Sequence, residues 1–443
     1  MNFKSYLGLF LIFLLVFSSF ANLAGSKTIF KSSVEESSLG VNYRAVIFGI
    51  GDYNGDGDYE DDAETYGYLP SDLGCTIPSA EAFRDALDRG TNHYSKDILF
   101  DEDATKSKVT QSITNKLINQ ADSNDISIIY YCGHGKRQQT DDATPGVREN
   151  GESHEEYLFL YDDRMGDPNR YRDDKESHLN KFAFRDDLFI DLISQIQGYV
   201  ILILDSCYCS GFRADLDLIY DDIESEAVVL FTVHSENQAL KGNSKLQRAY
   251  FSLCMISGLG ENTDDFSITI DEIYNTAKDN YEIIKDMISL QFQGVRIYPN
   301  PGSSDYDVIN DLVILEGINN ERPRIDDFEI FQPRKRKYLD REINGVAIDP
   351  EDSDLEIYIH WGDHIHEWKS YGSGDEIEEK HTYPELIDNW YRYYTKGGVI
   401  IFDEYEAFTA YSLNVRLEEK AKSKVFEKIR INRIIERLLL NFN

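Results

Sequence analysis

The chain has 443 residues, enough for about two or three domains, and its 41% hydrophobic content with 29 Tyr and 24 Phe provides for packed cores and excludes a disordered chain. Eighty acidic residues against 45 basic ones leave a net charge of −35. So acidic a surface excludes a nucleic-acid backbone or an anionic membrane face as natural partner. It suits a soluble extracellular protein, a salty or calcium-rich medium, or basic substrates, and it also serves solubility alone.

The N-terminus reads as an export signal. Lys4 precedes a charge-free apolar run from Tyr6 to Phe17, and Ser19-Phe20-Ala21 supplies the small residues a signal peptidase reads. Residues 1–24 are therefore expected to be a signal peptide, giving a secreted protein with no stable membrane insertion after cleavage. The run is short for a bilayer span, and an uncleaved anchor is the alternative. Cys75, Cys132, Cys207, Cys209 and Cys254 are too few and too odd in number for a disulfide framework.

From Val41 the pattern alternates strand, loop and helix. Arg44 to Ile50, Ile126 to Tyr131, Val200 to Leu204 and Ala227 to Val233 are near-continuous apolar runs. Such runs, separated by helices, predict a mostly parallel sheet covered on both faces, an α/β fold with its reacting groups at the C-terminal strand ends. Ser79 is the expected N-cap of a helix reaching Arg89, and Lys136 to Ser153 forms a long polar insertion. Gln247 to Ser257 and Ile268 to Leu290 read as helices, and Asp311 to Leu315 as a closing strand. The polar, proline-bearing stretch from Asn319 to Ile325 then separates a first domain, 41–316, from a second, 322–417. Leu355 to Trp361 and the segments around Arg392 and Tyr411 look like strands of a small β-sandwich. Residues 418–443 carry helical periodicity.

Two strand ends concentrate the chemistry. The third strand runs into Asp205-Ser206-Cys207-Tyr208-Cys209-Ser210-Gly211, and the second into Cys132-Gly133-His134-Gly135. Adjacent parallel strands would present a thiol and an imidazole at one sheet edge, which is what a thiol nucleophile and its base require. The flanking glycines admit a substrate backbone, and the amides of Gly135 and Cys207 would face an oxyanion. Taken singly, Cys207 reads as a core cysteine and His134 as a turn histidine.

These motifs resemble the metacaspases and prokaryotic caspase-like peptidases, over roughly Tyr43 to Leu315. In that family Gly-His-Gly ends one strand and Asp-x-Cys-x-Ser-Gly the next. Gly49 to Tyr53, Leu73-Gly74-Cys75 and Gln238 to Gly258 are similar to further family elements. The resemblance implies a caspase-like fold and a cysteine endopeptidase acting on proteins or peptides, with Cys207 as nucleophile and His134 as base. It implies that Asp205, with the region of Cys75, lines a pocket for Arg or Lys. A second acidic residue of the family pattern is replaced here by Pro78. Two residues separate Cys207 from Ser210-Gly211 where the family has one, which makes Cys209 a rival nucleophile. Calcium activates many members through four acidic residues, which correspond to Asp162, Asp186, Asp187 and Asp215. The related clostripain and gingipain group shares the dyad and the basic preference. A degenerate binding module with a spoiled dyad is the alternative from another class.

Asp52-Tyr-Asn54-Gly-Asp56-Gly57-Asp58 matches half of an EF-hand loop, but position 12 is Ala63, so a loose calcium loop or a plain acidic rim is expected. In the second domain, Ala347 to Asp354, Trp361-Gly362-Asp363 and His381-Thr382-Tyr383 resemble PKD-type immunoglobulin-like modules, spacers or adhesive units. His364 and His366 read as exposed loop histidines, not as metal ligands.

Overall fold

The computed structural model describes residues 40–53, 55, 72–139, 154–162, 179, 181–219, 225–233, 242–243, 246–261, 265–287, 294–331, 340–351, 353–362, 365–383 and 394–416. The expected signal peptide 1–24, the expected helix 418–443, Asp56 to Ala63 of the acidic loop, Arg392 and His364 lie outside the described residues. No helix among the described residues is long and apolar enough to cross a membrane.

From residue 42 onward the protein is mixed α/β. In chain order the elements are β1 (Tyr43–Gly49), α1 (Thr76–Ala86), β2 (Tyr94–Phe100), α2 (Lys106–Ser112), β3 (Ile126–Cys132), β4 (Gly135–Gln139), β5 (His154–Phe159), β6 (Ala183–Arg185), α3 (Asp186–Ile193), β7 (Gly198–Asp205) and α4 (Phe212–Ile219). They continue with β8 (Ser225–Val233), β9 (Gly242–Asn243), β10 (Arg248–Ala249), α5 (Tyr250–Gly260), β11 (Ser267–Thr269), α6 (Ile270–Met287), β12 (Val295–Tyr298), α7 (Tyr306–Ile309) and β13 (Val313–Glu316). The sandwich follows as β14 (Arg324–Phe331), β15 (Asp340–Ile348), β16 (Asp354–His360), β17 (His366–Gly372), β18 (Glu376–Thr382), β19 (Tyr394–Phe402) and β20 (Phe408–Arg416).

The main sheet has the order β12-β8-β7-β3-β1-β2. It is a mixed sheet: five strands are parallel, and β12 runs antiparallel to β8 at one edge. Alternate residues of its central strands enter two cores. Ala45, Ile47, Ile128, Tyr130, Ile201 and Ile203 face one side, with residues of α1, α5 and α6. Val46, Phe48, Ile129, Tyr131, Leu202 and Leu204 face the other, with residues of α2, α3 and α4. Burial on both faces removes the need for polar alternation, which is why these strands are continuous apolar runs.

Several expectations are corrected. Ser79 does not cap α1; it is buried within it, donating to Cys75 O (2.6 Å) and accepting from Ala249 N–H (2.8 Å). A hydroxyl in a helix interior is tolerated when it bonds the carbonyl one turn back. The expected closing strand is β13, which pairs with β11 outside the main sheet. The expected insertion begins and ends as a hairpin, because β4 pairs antiparallel with β5, and β5 with β6.

The second part is a β-sandwich of a three-stranded sheet, β14-β15-β18, and a four-stranded one, β17-β16-β19-β20. Its inner core contains Ile343, Leu355, Ile357, Ile359, Trp361, Ile377, Ile401 and Leu413. The outer face of the four-stranded sheet also packs: Tyr358, Ile400, Phe402, Phe408 and Ala410 join the core that contains α5 and α6. Polar contacts close the same junction. Asn320 Nδ2 donates to Gly260 O (2.7 Å) and to Asp403 Oδ2 (2.7 Å), and Arg248 pairs with Glu406 (2.5 Å). The four-stranded sheet thus has two apolar faces, one in the sandwich core and one seated on the helical layer of the α/β part.

Candidate active site

The pairing of β3 with β7 brings the two motifs together. Cys132 lies opposite Asp205, and Gly133 N–H donates to Asp205 O (3.2 Å). His134 and Cys207 therefore each follow, by two residues, a matched pair at the C-terminal end of adjacent parallel strands. The glycines of the motif have separate steric reasons. A Cβ on Gly135 would overlap the Cys207 carbonyl oxygen and the Ser206 hydroxyl, so the backbone of residue 135 lies directly against that of Cys207. A Cβ on Gly133 would stand 2.5 Å from Tyr131 Oη and 2.7 Å from Tyr53 Oη.

Of the two thiols in the turn, Cys209 is fully enclosed whereas Cys207 keeps 6% of its surface exposed. Burial pushes the Cys209 thiol well up, away from thiolate character. The additional residue is absorbed by backbone geometry. Tyr208 adopts the left-handed region (φ 62°, ψ 7°), and Gly211 N–H returns to Tyr208 O (3.1 Å) in a tight turn. A non-glycine residue pays about 1 kcal/mol there; the Arg137 guanidinium stands over the Tyr208 ring, 5.6 Å from its centroid.

Asp205 points to the opposite side of β7 from the core of α3 and α4. Its Oδ2 accepts from Ser252 N–H (2.9 Å) and from Ser252 Oγ (2.5 Å), and Ser252 Oγ is 2.6 Å from Tyr130 Oη. No ion pair to Asp205 occurs among the described residues, and burial pushes its carboxyl up to about 6. Cys75, immediately before α1, is close enough to sense it. Burial and then the Asp205 charge push the Cys75 thiol up to about 12. Cys132 and Cys254 are raised for the same two reasons, so three thiols surround one buried carboxylate.

The acidic residues are sorted differently from expectation. Asp186 opens α3, is buried, accepts from Glu156 N–H (2.9 Å) and shares a hydrogen bond with the Glu156 side chain. Burial, then Glu156 and the charge of Asp215 on α4, push the Asp186 carboxyl well up. Glu156 also lies against the Cys207–Gly211 turn, for a Cβ on Gly211 would overlap its carboxylate. Asp187 is instead forked by Arg185 (2.6 and 2.8 Å), which lies 3.6 Å from Glu155. Among the described residues the set of acidic ligand atoms gathered within 4.8 Å is Glu155, Asp186 and Asp187, and Asp162 is not part of it. A gathered set of carboxylate oxygens, with Asp186 buried and its affinity for protons raised, suits a hard cation such as calcium. Glu155 is the acid of this group that the expected ligand set left out, although it directly precedes Glu156, the acid that opens the matching motif.

In the acidic loop, Gly55 N–H donates to Asp52 Oδ1 (2.5 Å). In the sandwich, Tyr383 Oη donates to Trp361 O (2.7 Å) and the His381 ring stacks on Trp361 at 5.0 Å, uniting two segments that the sequence had paired as one motif. His366 is a correction: it begins β17, opposite His360, and its Nδ1 is 2.5 Å from Tyr358 Oη.

No family model matches the chain, and no curated protein matches it. Among solved structures, a protein of Geobacter sulfurreducens is 15% identical over 61% of this chain and 97% of its own, with a TM-score of 0.39. The PKD domain of an M14-like peptidase from Thermoplasmatales archaeon SCGC AB-540-F20 is 21% identical over 23% of this chain and 99% of its own, with a TM-score of 0.18. The PKD1 domain of Vibrio anguillarum Epp is 12% identical over 23% and 98%, with a TM-score of 0.17. Similarity at this level identifies neither the fold nor the activity of the chain.

Proposed function

We propose that the chain is a caspase-like cysteine endopeptidase, exported through residues 1–24, that cleaves after Arg or Lys. The observation that carries the reading is the register of β3 on β7, which sets His134 and Cys207 at one sheet edge with Gly135 against the Cys207 backbone. His134 takes the Cys207 proton, and the thiolate attacks the scissile carbonyl carbon. The amides of Gly135 and Cys207 face the resulting oxyanion. Collapse breaks the C–N bond as His134 protonates the leaving amine. Water, deprotonated by His134, then releases the acyl group from sulfur and restores the thiol.

Asp205 supports a basic P1 residue. A buried carboxylate whose side-chain bonds among the described residues come from Ser252 gains most from an incoming guanidinium or ammonium. Asp186, with Glu155 gathered against it and Glu156 and Asp215 adding their charge, would hold calcium, which would offset the repulsion around Asp186. The sandwich is read as a PKD-type module on its Trp361–Tyr383 pairing.

The test is hydrolysis of fluorogenic peptides with Arg, Lys or Asp at P1, with calcium or chelator, by wild type, Cys207→Ala and Cys209→Ala. Cleavage after Arg or Lys that is lost in Cys207→Ala alone is the expected result. Turnover of no peptide in any condition favours a binding module, whose specific support is the left-handed Tyr208 inside the nucleophile turn. Activity surviving in Cys207→Ala passes the nucleophile role to Cys209.

A further inference from the structure

His134 is held by two phenols that no part of the dyad chemistry uses. Its backbone N–H donates to Tyr53 Oη (2.7 Å), and the Tyr53 and His134 rings lie 5.0 Å apart at 52°. Its carbonyl oxygen accepts from Phe159 N–H (3.0 Å) and lies 2.8 Å from Tyr131 Oη, which is also 2.6 Å from Phe159 O. Tyr53 Oη uses a lone pair for the His134 N–H, and the single Tyr131 proton faces two carbonyls. Both main-chain groups of His134 thus bond to buried phenols, one from the loop after β1 and one from β3, and its carbonyl also bonds the end of β5. Tyr53 and Tyr131 are completely buried, Tyr53 also lies within electrostatic reach of Cys207, and the missing side chain of Gly133 is what lets both hydroxyls in.

We infer that Tyr53 and Tyr131 are positioning residues that fix the His134 backbone, and through it the imidazole, relative to Cys207. The inference rests on the dyad reading above. Tyr53 comes from a segment far in sequence from either motif, and its N–H is itself anchored on Asp72 (2.7 Å). Small displacements of a base cost rate heavily, since about 1 Å is worth about a hundredfold.

The test needs no knowledge of the natural substrate. Cys207 of the full chain is alkylated with iodoacetamide between about pH 5 and 9, and labelling is read by peptide mass, with thiolate fraction setting the rate. Wild type should show a low-pH limb that His134→Ala lacks, the signature of a thiolate–imidazolium pair. Tyr53→Phe, which removes only the hydroxyl, should move that limb up by about 0.5–1 pH unit. It should also lower kcat on an Arg peptide about tenfold with KM unchanged. A Tyr53→Phe profile superimposed on wild type overturns the inference. If Tyr53→Phe does not fold, Tyr131→Phe serves with the same two outcomes. A wild-type profile equal to that of His134→Ala sinks the dyad, and the inference with it; a His134-dependent limb indifferent to the phenols sinks the inference alone.

Discussion

Asp205→Asn isolates the energetic signature of the proposed pocket. Burial raises the Asp205 carboxyl from the ordinary value of 3.8 to about 6 in the folded protein. The folded state therefore keeps a proton that the unfolded chain releases. Stability is full below pH 4, falls as pH climbs between the two values, and is constant above the folded pKa; the loss is about 3 kcal/mol. Asparagine mimics the protonated acid, and its carbonyl oxygen can accept both Ser252 donors at 2.9 and 2.5 Å. Urea denaturation of wild type and Asp205→Asn across pH 4 to 8 should show the variant gaining on wild type by about 3 kcal/mol, nearly all of it before pH 7. Asp186 and Asp403 are raised in the same direction, but they contribute equally to both proteins and cancel in the difference. A difference that is constant with pH refutes the argument, because it means that Asp205 is ionised in the fold or reaches a cation. Agmatine, an arginine mimic, should reverse the wild-type trend by binding more tightly as pH rises through 6.

Three further outcomes follow from particular contacts. Gly135→Ala should fold yet lose about a hundredfold or more in Cys207 alkylation rate, because its methyl overlaps backbone, not a flexible side chain; retained reactivity would mean that the two strand ends do not touch. Asp186→Asn should weaken calcium binding at least about tenfold by titration calorimetry, whereas Asp187→Asn should leave it unchanged while costing stability through the broken Arg185 fork; equal effects would restore Asp187 as a ligand. Asn320→Ala should cost about 2–3 kcal/mol in denaturation and raise hydrogen exchange in β19 and β20, since it removes the bonds to Gly260 and Asp403; an effect confined to residue 320 would show the junction to be held by its apolar contacts alone.

The strands β1, β3, β7 and β8 were legible as apolar runs because burial on both faces leaves no polar alternation to confuse the period. β2 and β12 escaped, since Ser95-Lys96-Asp97 and Arg296 break the apolar run at the two edges of the sheet. The catalytic candidates were legible for a local reason: Gly-His-Gly and Asp-x-Cys each lie within a few residues of a strand end. The Arg185–Asp187 fork was hidden by the very adjacency that suggested two equivalent ligands in Asp186-Asp187. On the first turn of α3 consecutive side chains diverge, and each meets a different neighbour.

By itself the sequence determined the parallel core, the placement of His134 and Cys207 at strand ends, and a β-sandwich beyond residue 322, because all three follow from patterns of neighbouring residues. The tertiary structure alone decided which of the two turn thiols keeps any exposure, which acids gather near that turn, and which hydroxyls hold His134. Tyr53 is 81 residues from His134, and Ser252 is 47 from Asp205. No local period encodes such pairs. They come together because the register of parallel strands carries distant loops to one edge of the sheet.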